Sequence, residues 1–182
     1  MIRIVAGELR GRRLAVGPGV RPTTERAREA LFSILGEKVR GARVLDVAAG
    51  SGALGFEALS RGAREVVYVE SDRRAARVLA SNGALVGLEA RMTVVVRDVA
   101  TFLRIDRPSN FDLVFFDPPW ASPVAAELQG LYDAVLPGGV LVLERGAGEE
   151  PWRDPPVEPE VRRYGTTTLF LFRRPGSAGA GD

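Results

Sequence analysis

Val44-Leu45-Asp46-Val47-Ala48-Ala49-Gly50-Ser51-Gly52 decides the fold of this chain: an apolar run ends in a glycine turn and opens onto helical spacing from Ala53. A short β-branched run followed directly by glycines and a helix is the first βα unit of a sheet whose strand ends face a ligand. Glycine lets the backbone approach that ligand closely, and the first N–H groups of the helix point at it. The same alternation continues outward. Strands are expected at 43–47, 65–70, 92–97, 111–116 and 140–144, with helices at 53–61, 73–86, 99–105 and 124–135. Helices of this length between strands imply right-handed crossovers and a parallel sheet covered on both faces. Leu136-Pro137-Gly138-Gly139 is a turn into the fifth strand, and two final runs, 161–164 and 166–173, form an antiparallel hairpin around Gly165.

Acidic residues end these strands. Glu70 follows the second at a distance from the glycines that suits a carboxylate taking both hydroxyls of a ribose, and Ser71 comes next to it. Asp98 ends the third, where it or the Val99 N–H meets a base edge, or where its side chain caps the next helix. Asp117-Pro118-Pro119-Trp120 ends the fourth. Asp117 precedes proline and so stays extended, and two prolines without N–H groups leave a carboxylate and the Pro118 carbonyl as an acceptor-only surface. Trp120 adds a flat stacking face, so this corner suits a planar ligand bearing an NH2 group.

The composition narrows the chemistry. At 182 residues this is one domain of ordinary size, with no cysteine and no histidine. Thiolate nucleophiles, disulfides, serine–histidine triads and histidine- or cysteine-ligated metals are excluded, so no metal is expected. No stretch reaches a membrane span and Met1-Ile2-Arg3 does not begin a secretory signal, which places the chain in the cytoplasm. Lys38 is the single lysine, and arginines gather near the start. There, runs at 2–5 and 12–16 flank a loop, Gly17-Pro18-Gly19 breaks the chain, and Thr23 or Thr24 caps a helix running to about Lys38. Arg10, Arg12, Arg13, Arg21, Arg26 and Arg28 form a basic arm or a solvated face. Guanidinium groups in such a cluster suit phosphate and nucleic acid.

Gly50, Gly52 and Gly55 also satisfy G-x-G-x-x-G, which admits a nicotinamide dehydrogenase. Two features argue against it. Asp46 sets a carboxylate where a pyrophosphate would lie, and Asp117 to Trp120 has no part in hydride transfer. A ligand with an ammonium and no phosphate fits better, and S-adenosylmethionine is one.

The segment from Asp46 to Gly52 resembles the cofactor loop of class I S-adenosylmethionine-dependent methyltransferases, including Ala48, Ala49 and Ser51. Glu70 resembles their ribose acid and Asp98 their adenine-side acid. Asp117 to Trp120 is similar to the [DN]-P-P-[aromatic] motif of members that methylate exocyclic amines. More narrowly, Arg21-Pro22-Thr23-Thr24-Glu25-Arg26, Arg28-Glu29-Ala30-Leu31-Phe32 and Glu57-Ala58-Leu59-Ser60-Arg61-Gly62 resemble the bacterial RsmD family. The resemblance implies a Rossmann-like α/β fold with a mostly parallel seven-stranded sheet, helices on both faces, a C-terminal antiparallel hairpin and a small N-terminal hairpin and helix. It divides the chain into a basic RNA-contacting extension over 1–40, a methyltransferase domain over 41–174 and a flexible tail over 175–182. It implies guanine-N2 methylation of small-subunit ribosomal RNA, within a partly assembled particle, with Thr23 at the methionine end of the cofactor; a monomer is expected. Trp120 stands where that family has Phe or Tyr, and a tryptophan there also resembles adenine-N6 RNA methyltransferases. Adenine N6 in RNA or DNA, a protein glutamine, and a non-catalytic RNA-binding assembly factor are therefore the competing readings.

Overall fold

The computed structural model describes residues 1–17, 23–119, 124–149 and 152–176. Strands β1 (Ile2–Arg3) and β2 (Arg13–Leu14) pair antiparallel, with Ile2 opposite Leu14. Helix α1 (Glu25–Leu35) follows. Then come β3 (Arg43–Val47), α2 (Ala53–Ser60), β4 (Glu65–Glu70), α3 (Arg73–Val86), β5 (Met92–Val96), α4 (Val99–Asp106), β6 (Phe111–Phe116), α5 (Ala125–Asp133), β7 (Val135–Gly146), β8 (Glu160–Tyr164) and β9 (Thr167–Arg173). The seven-stranded sheet has the order β5-β4-β3-β6-β7-β9-β8, in which only β9 pairs antiparallel with its two neighbours.

That order places the site. From β3 the chain steps outward to β4 and β5, then crosses back to lay β6 on the other flank of β3. The crevice between β3 and β6 is the topological switch point, and their carboxyl ends are Asp46-Val47 and Phe116-Asp117.

The alternation of strand side chains decides which acids meet. Val44, Leu113, Phe115, Val140, Val142, Leu169 and Leu171 pack on the face covered by α1, α2 and α3. Leu45, Val47, Val114, Phe116, Leu141 and Leu143 pack on the other, with Phe102 of α4 and Leu128 and Leu131 of α5. Counting by twos from the first set, Asp46, Asp117 and Glu144 all project toward α1 and α2.

The expected strands 43–47, 65–70 and 111–116 agree with those observed, and α3 agrees at both ends. The fifth strand is longer than expected. It begins at Val135 because the backbone of the 136–139 turn still pairs, Gly138 N–H to the Arg174 carbonyl at 2.9 Å and Arg174 N–H to Gly139 at 3.0 Å, with a bulge opposite Asp112. Helix α1 stops at Leu35, where Gly36 takes φ 54°, and one 3-10 turn carries the chain to Val39.

The N-terminal residues share the main core: Ile2, Ile4, Leu14, Leu31, Phe32 and Leu35 pack with the sheet. Buried Glu57 of α2 accepts from the N–H groups of Val5 (2.9 Å) and Ala6 (3.0 Å), and Ser60 bonds Ala6, Glu8 and Leu9. A Cβ on Gly7 would lie 1.8 Å from the Ser60 carbonyl oxygen, so glycine is required there. Most of the expected tail, residues 177–182, lies outside the described residues.

Candidate active site

The acids at the strand ends surround a cavity of about 720 Å³. Asp46 enters it from β3, Glu70 and Ser71 from the end of β4, Asp98 and Val99 from the start of α4, Asp117 from the end of β6 and Glu144 from β7. The β3–α2 loop supplies one wall. Ala48 is held at φ 55°, a left-handed conformation that costs a non-glycine residue about 1–2 kcal/mol, and Gly50 at φ 53°. Strain at this point bends the loop over the crevice. The Ala49 N–H returns to the Val69 carbonyl (3.1 Å) and the Gly50 N–H to a Glu70 Oε (2.7 Å). Ala48, Ala49, Gly50 and Ser51 therefore line the cavity.

Gly52 does not, contrary to the sequence expectation. It caps α2 at φ 72°, beneath the loop, and a Cβ there would lie 2.3 Å from a Leu79 methyl. Its place is set by packing against α3.

Asp46 is 2% exposed and one oxygen accepts the Gly55 N–H at 2.9 Å, at the start of α2. Burial pushes its carboxyl up to about 8, against the Gly55 hydrogen bond and with help from the Glu70 charge. Asp117 is pushed well above the usual range, chiefly by burial and then by Glu144. Burial also raises Glu144. Three acids on one face, each shifted toward its neutral form, are short of positive charge. A cation-bearing ligand would relieve that shortage. The residues thus fit S-adenosylmethionine, with its ammonium and sulfonium.

Thr24 rather than Thr23 caps α1, accepting the Ala27 N–H. Thr23 is thereby free to turn inward, where its hydroxyl donates to Asp117 Oδ2 at 3.1 Å. Asp98 caps α4 through Thr101 N (2.9 Å) while also lining the cavity. Pro118 is buried; the Pro119 carbonyl accepts from an Arg145 guanidinium N–H at 3.2 Å. Trp120 lies outside the described residues, as does Arg21.

Arg10, Arg12, Arg13 and Arg26 are exposed. Arg28 is not, and its assignment to an RNA-contacting surface is corrected. It is 1% exposed and its guanidinium donates to the Thr23 carbonyl (3.1 Å) and the Arg3 carbonyl (2.6 Å), with its Nε 3.9 Å from Glu57. Helical periodicity sets it on the apolar face of α1 beside Leu31 and Phe32, a signal that its charge obscured.

Glu144, Thr167 and Glu127 line the cavity without having been singled out in the sequence. For Glu144 a signal existed. It closes an apolar run, Val140 to Leu143, just as Asp117 closes Phe111 to Phe116.

The family model described as conserved hypothetical protein 95 matches residues 2–173. The ribosomal RNA small subunit methyltransferase D of Escherichia coli K12 is 41% identical over 134 residues, 72% of this chain and 67% of that protein. A solved structure of a hypothetical protein from Thermus thermophilus superposes with a TM-score of 0.83 at 36% identity, covering 95% of this chain and 99% of that one. An RNA methyltransferase from Salinibacter ruber, solved in complex with S-adenosyl-L-homocysteine, shares the fold (TM-score 0.68, 14% identity, 88% and 98% covered). By the span of the family match and by its identity to the Escherichia coli protein, the chain belongs to the RsmD family of methyltransferases.

Proposed function

We propose that this protein transfers a methyl group from S-adenosylmethionine to the exocyclic N2 amine of a guanine in small-subunit ribosomal RNA. The observation that carries the reading is the placement of Asp117 and Pro118 at the carboxyl end of β6, on the rim of the cavity at the switch point. The name of the Escherichia coli relative supports ribosomal RNA as the substrate class.

S-adenosylmethionine supplies an electrophilic methyl group on sulfur. The residues of this chain do the rest by position and charge. An exocyclic amine has its lone pair delocalised into the ring, so it must be held by its hydrogens and aimed at the methyl carbon. Asp117 and the Pro118 carbonyl accept those hydrogens. Thr23 orients the Asp117 carboxylate, and Arg145, bonded to the Pro119 carbonyl, holds the turn. Trp120 stacks on a base turned out of its surroundings, a contact worth on the order of 1–3 kcal/mol. Asp46, the loop from Ala48 to Ser51, Glu70, Ser71, Asp98, Val99 and Thr23 bind the cofactor.

Residues 1–40 act as the RNA-contacting extension, with Arg10, Arg12, Arg13 and Arg26 offering phosphate contacts that locate the enzyme without reading sequence. Residues 41–174 act as the transferase, on RNA within a partly assembled small subunit and as a monomer.

The test is incubation with S-adenosylmethionine and small-subunit RNA or particles lacking the methyl group, followed by digestion and mass spectrometry. N2-methylguanosine at one position is expected, and Asp117→Ala abolishes it while cofactor binding survives. N6-methyladenosine would keep the chemistry and overturn the base.

A further inference from the structure

The cavity contains a carboxylate to which the reaction as described gives no task. Glu144 stands one residue beyond the Phe116–Leu143 pair, so Glu144 and Asp117 leave adjacent parallel strands side by side. Glu144 is 5% exposed and lines the cavity, and its Oε2 has no hydrogen-bond partner among the described residues. Oε1 has only a long bond from the Thr167 hydroxyl, 3.5 Å. A buried acid left half-satisfied costs stability and calls for an explanation.

The groups around it come from several elements. Asp117 faces it from β6, Arg28 from α1, Thr167 from β9 and Thr23 from the turn before α1, while Asp46 of β3 acts on Asp117. Arg145, next in the chain, directs its guanidinium to Glu149 and Pro119. The Thr23 hydroxyl donates to Asp117 at 3.1 Å, and Thr23 also favours the charged form of Glu144. Thr23 thus acts on both carboxyls, and a hydroxyl can donate to one while accepting from the other.

We propose that Glu144, beside Asp117 on the neighbouring strand, stores the proton that the substrate amine must give up, with the Thr23 hydroxyl as relay. The inference rests on the methyl-transfer reading above. The amine lone pair forms a bond to the methyl carbon, and the methyl–sulfur bond breaks with its electron pair left on sulfur. The sulfonium becomes a neutral thioether and the nitrogen becomes a cation. One N–H bond then breaks, its pair returns to nitrogen, and the proton passes to Asp117. Thr23 takes that proton as its own moves to Glu144. The positive charge that began on sulfur ends as a proton on the carboxyl pair, so the net charge of the cavity is unchanged where little water screens it. Burial raises both acids and the Glu144 charge raises Asp117 further, which suits them to accept a proton near neutrality.

Glu144→Gln keeps the shape and removes the ionisable group. Methylation of small-subunit RNA by wild type and variant is followed from about pH 5 to 9, with S-adenosylmethionine binding by calorimetry and KM for RNA. The expected variant binds cofactor within about twofold of wild type and keeps KM, but loses about tenfold or more in kcat. Its acid limb moves to lower pH, because Asp117 no longer feels the Glu144 charge. Glu144→Asp, still ionisable, recovers part of the rate. Wild-type kcat and an unmoved acid limb in Glu144→Gln would overturn the proposal. So would a variant that loses cofactor binding and thermal stability along with rate, since that marks a structural acid. Wild-type protein that yields no methylated nucleoside overturns the substrate reading itself, and with it this role.

Discussion

Thr23 and Asp117, 94 residues apart in the chain, meet at 3.1 Å, and this contact ties the N-terminal segment to the end of β6 in the cavity wall. It forms because Thr24 takes over the capping of α1 and leaves its neighbour free to face inward. The N-terminal extension and the transferase core therefore share one site.

Thr23→Val, nearly the same in shape, removes the hydroxyl alone. A hydrogen bond to a charged group is worth about 1.5–3 kcal/mol, so kcat is expected to fall roughly 10- to 100-fold. Cofactor affinity changes less. Steady-state kinetics beside calorimetric titration separates the two.

Asp46 is expected to make S-adenosylmethionine binding depend on pH. Its folded carboxyl titrates at about 8 against a usual 3.8, so between those values the folded protein holds a proton that the unfolded chain releases. Stability of the ligand-free protein is expected to fall as pH rises from near 4 to about 8, and to level off above. Asp117 and Glu144 add in the same direction. An ammonium needs the charged form, so S-adenosylmethionine should bind with release of a proton and weaken by up to about tenfold per pH unit below 8. Calorimetry in buffers of different ionisation enthalpy measures that proton, and Asp46→Asn removes its share.

Arg28 and the exposed arginines should part company. Arg28→Met strips the Thr23 and Arg3 carbonyls of their donor, while Glu57 keeps Arg61 at 2.8 Å, and is expected to cost about 1–3 kcal/mol, read by denaturant unfolding. Arg10→Ala, Arg12→Ala and Arg13→Ala combined should leave unfolding unchanged. They should instead weaken RNA binding and reduce the slope of log affinity against log salt by about 0.7 for each phosphate the arginines had neutralised.

Gly7→Ala drives a methyl group into the Ser60 carbonyl, at a φ of 84° that already disfavours any side chain. Backbone must move, so the Val5 and Ala6 bonds to Glu57 are expected to break. The measurement is amide hydrogen exchange, with protection lost at Val5, Ala6 and Glu8 and retained in β3 and β6.

The regular elements could be read from local pattern because local physics sets them. Arg43–Val47, Glu65–Glu70 and Phe111–Phe116 are short apolar runs bounded by charged or turn residues, and buried parallel strands require such runs. The same pattern set Asp46, Glu70 and Asp117 at strand ends, where an open α/β sheet binds its ligand, and the absence of cysteine and histidine confined the chemistry to carboxylates and backbone. Periodicity along one chain carries no information about which distant face will cover an element. Only the tertiary structure sets Arg28 in the core, places Gly52 beneath the loop, and brings Glu144 and Thr23 to Asp117, because each outcome follows from the order β3-β6-β7 and from which side of the sheet α1 covers.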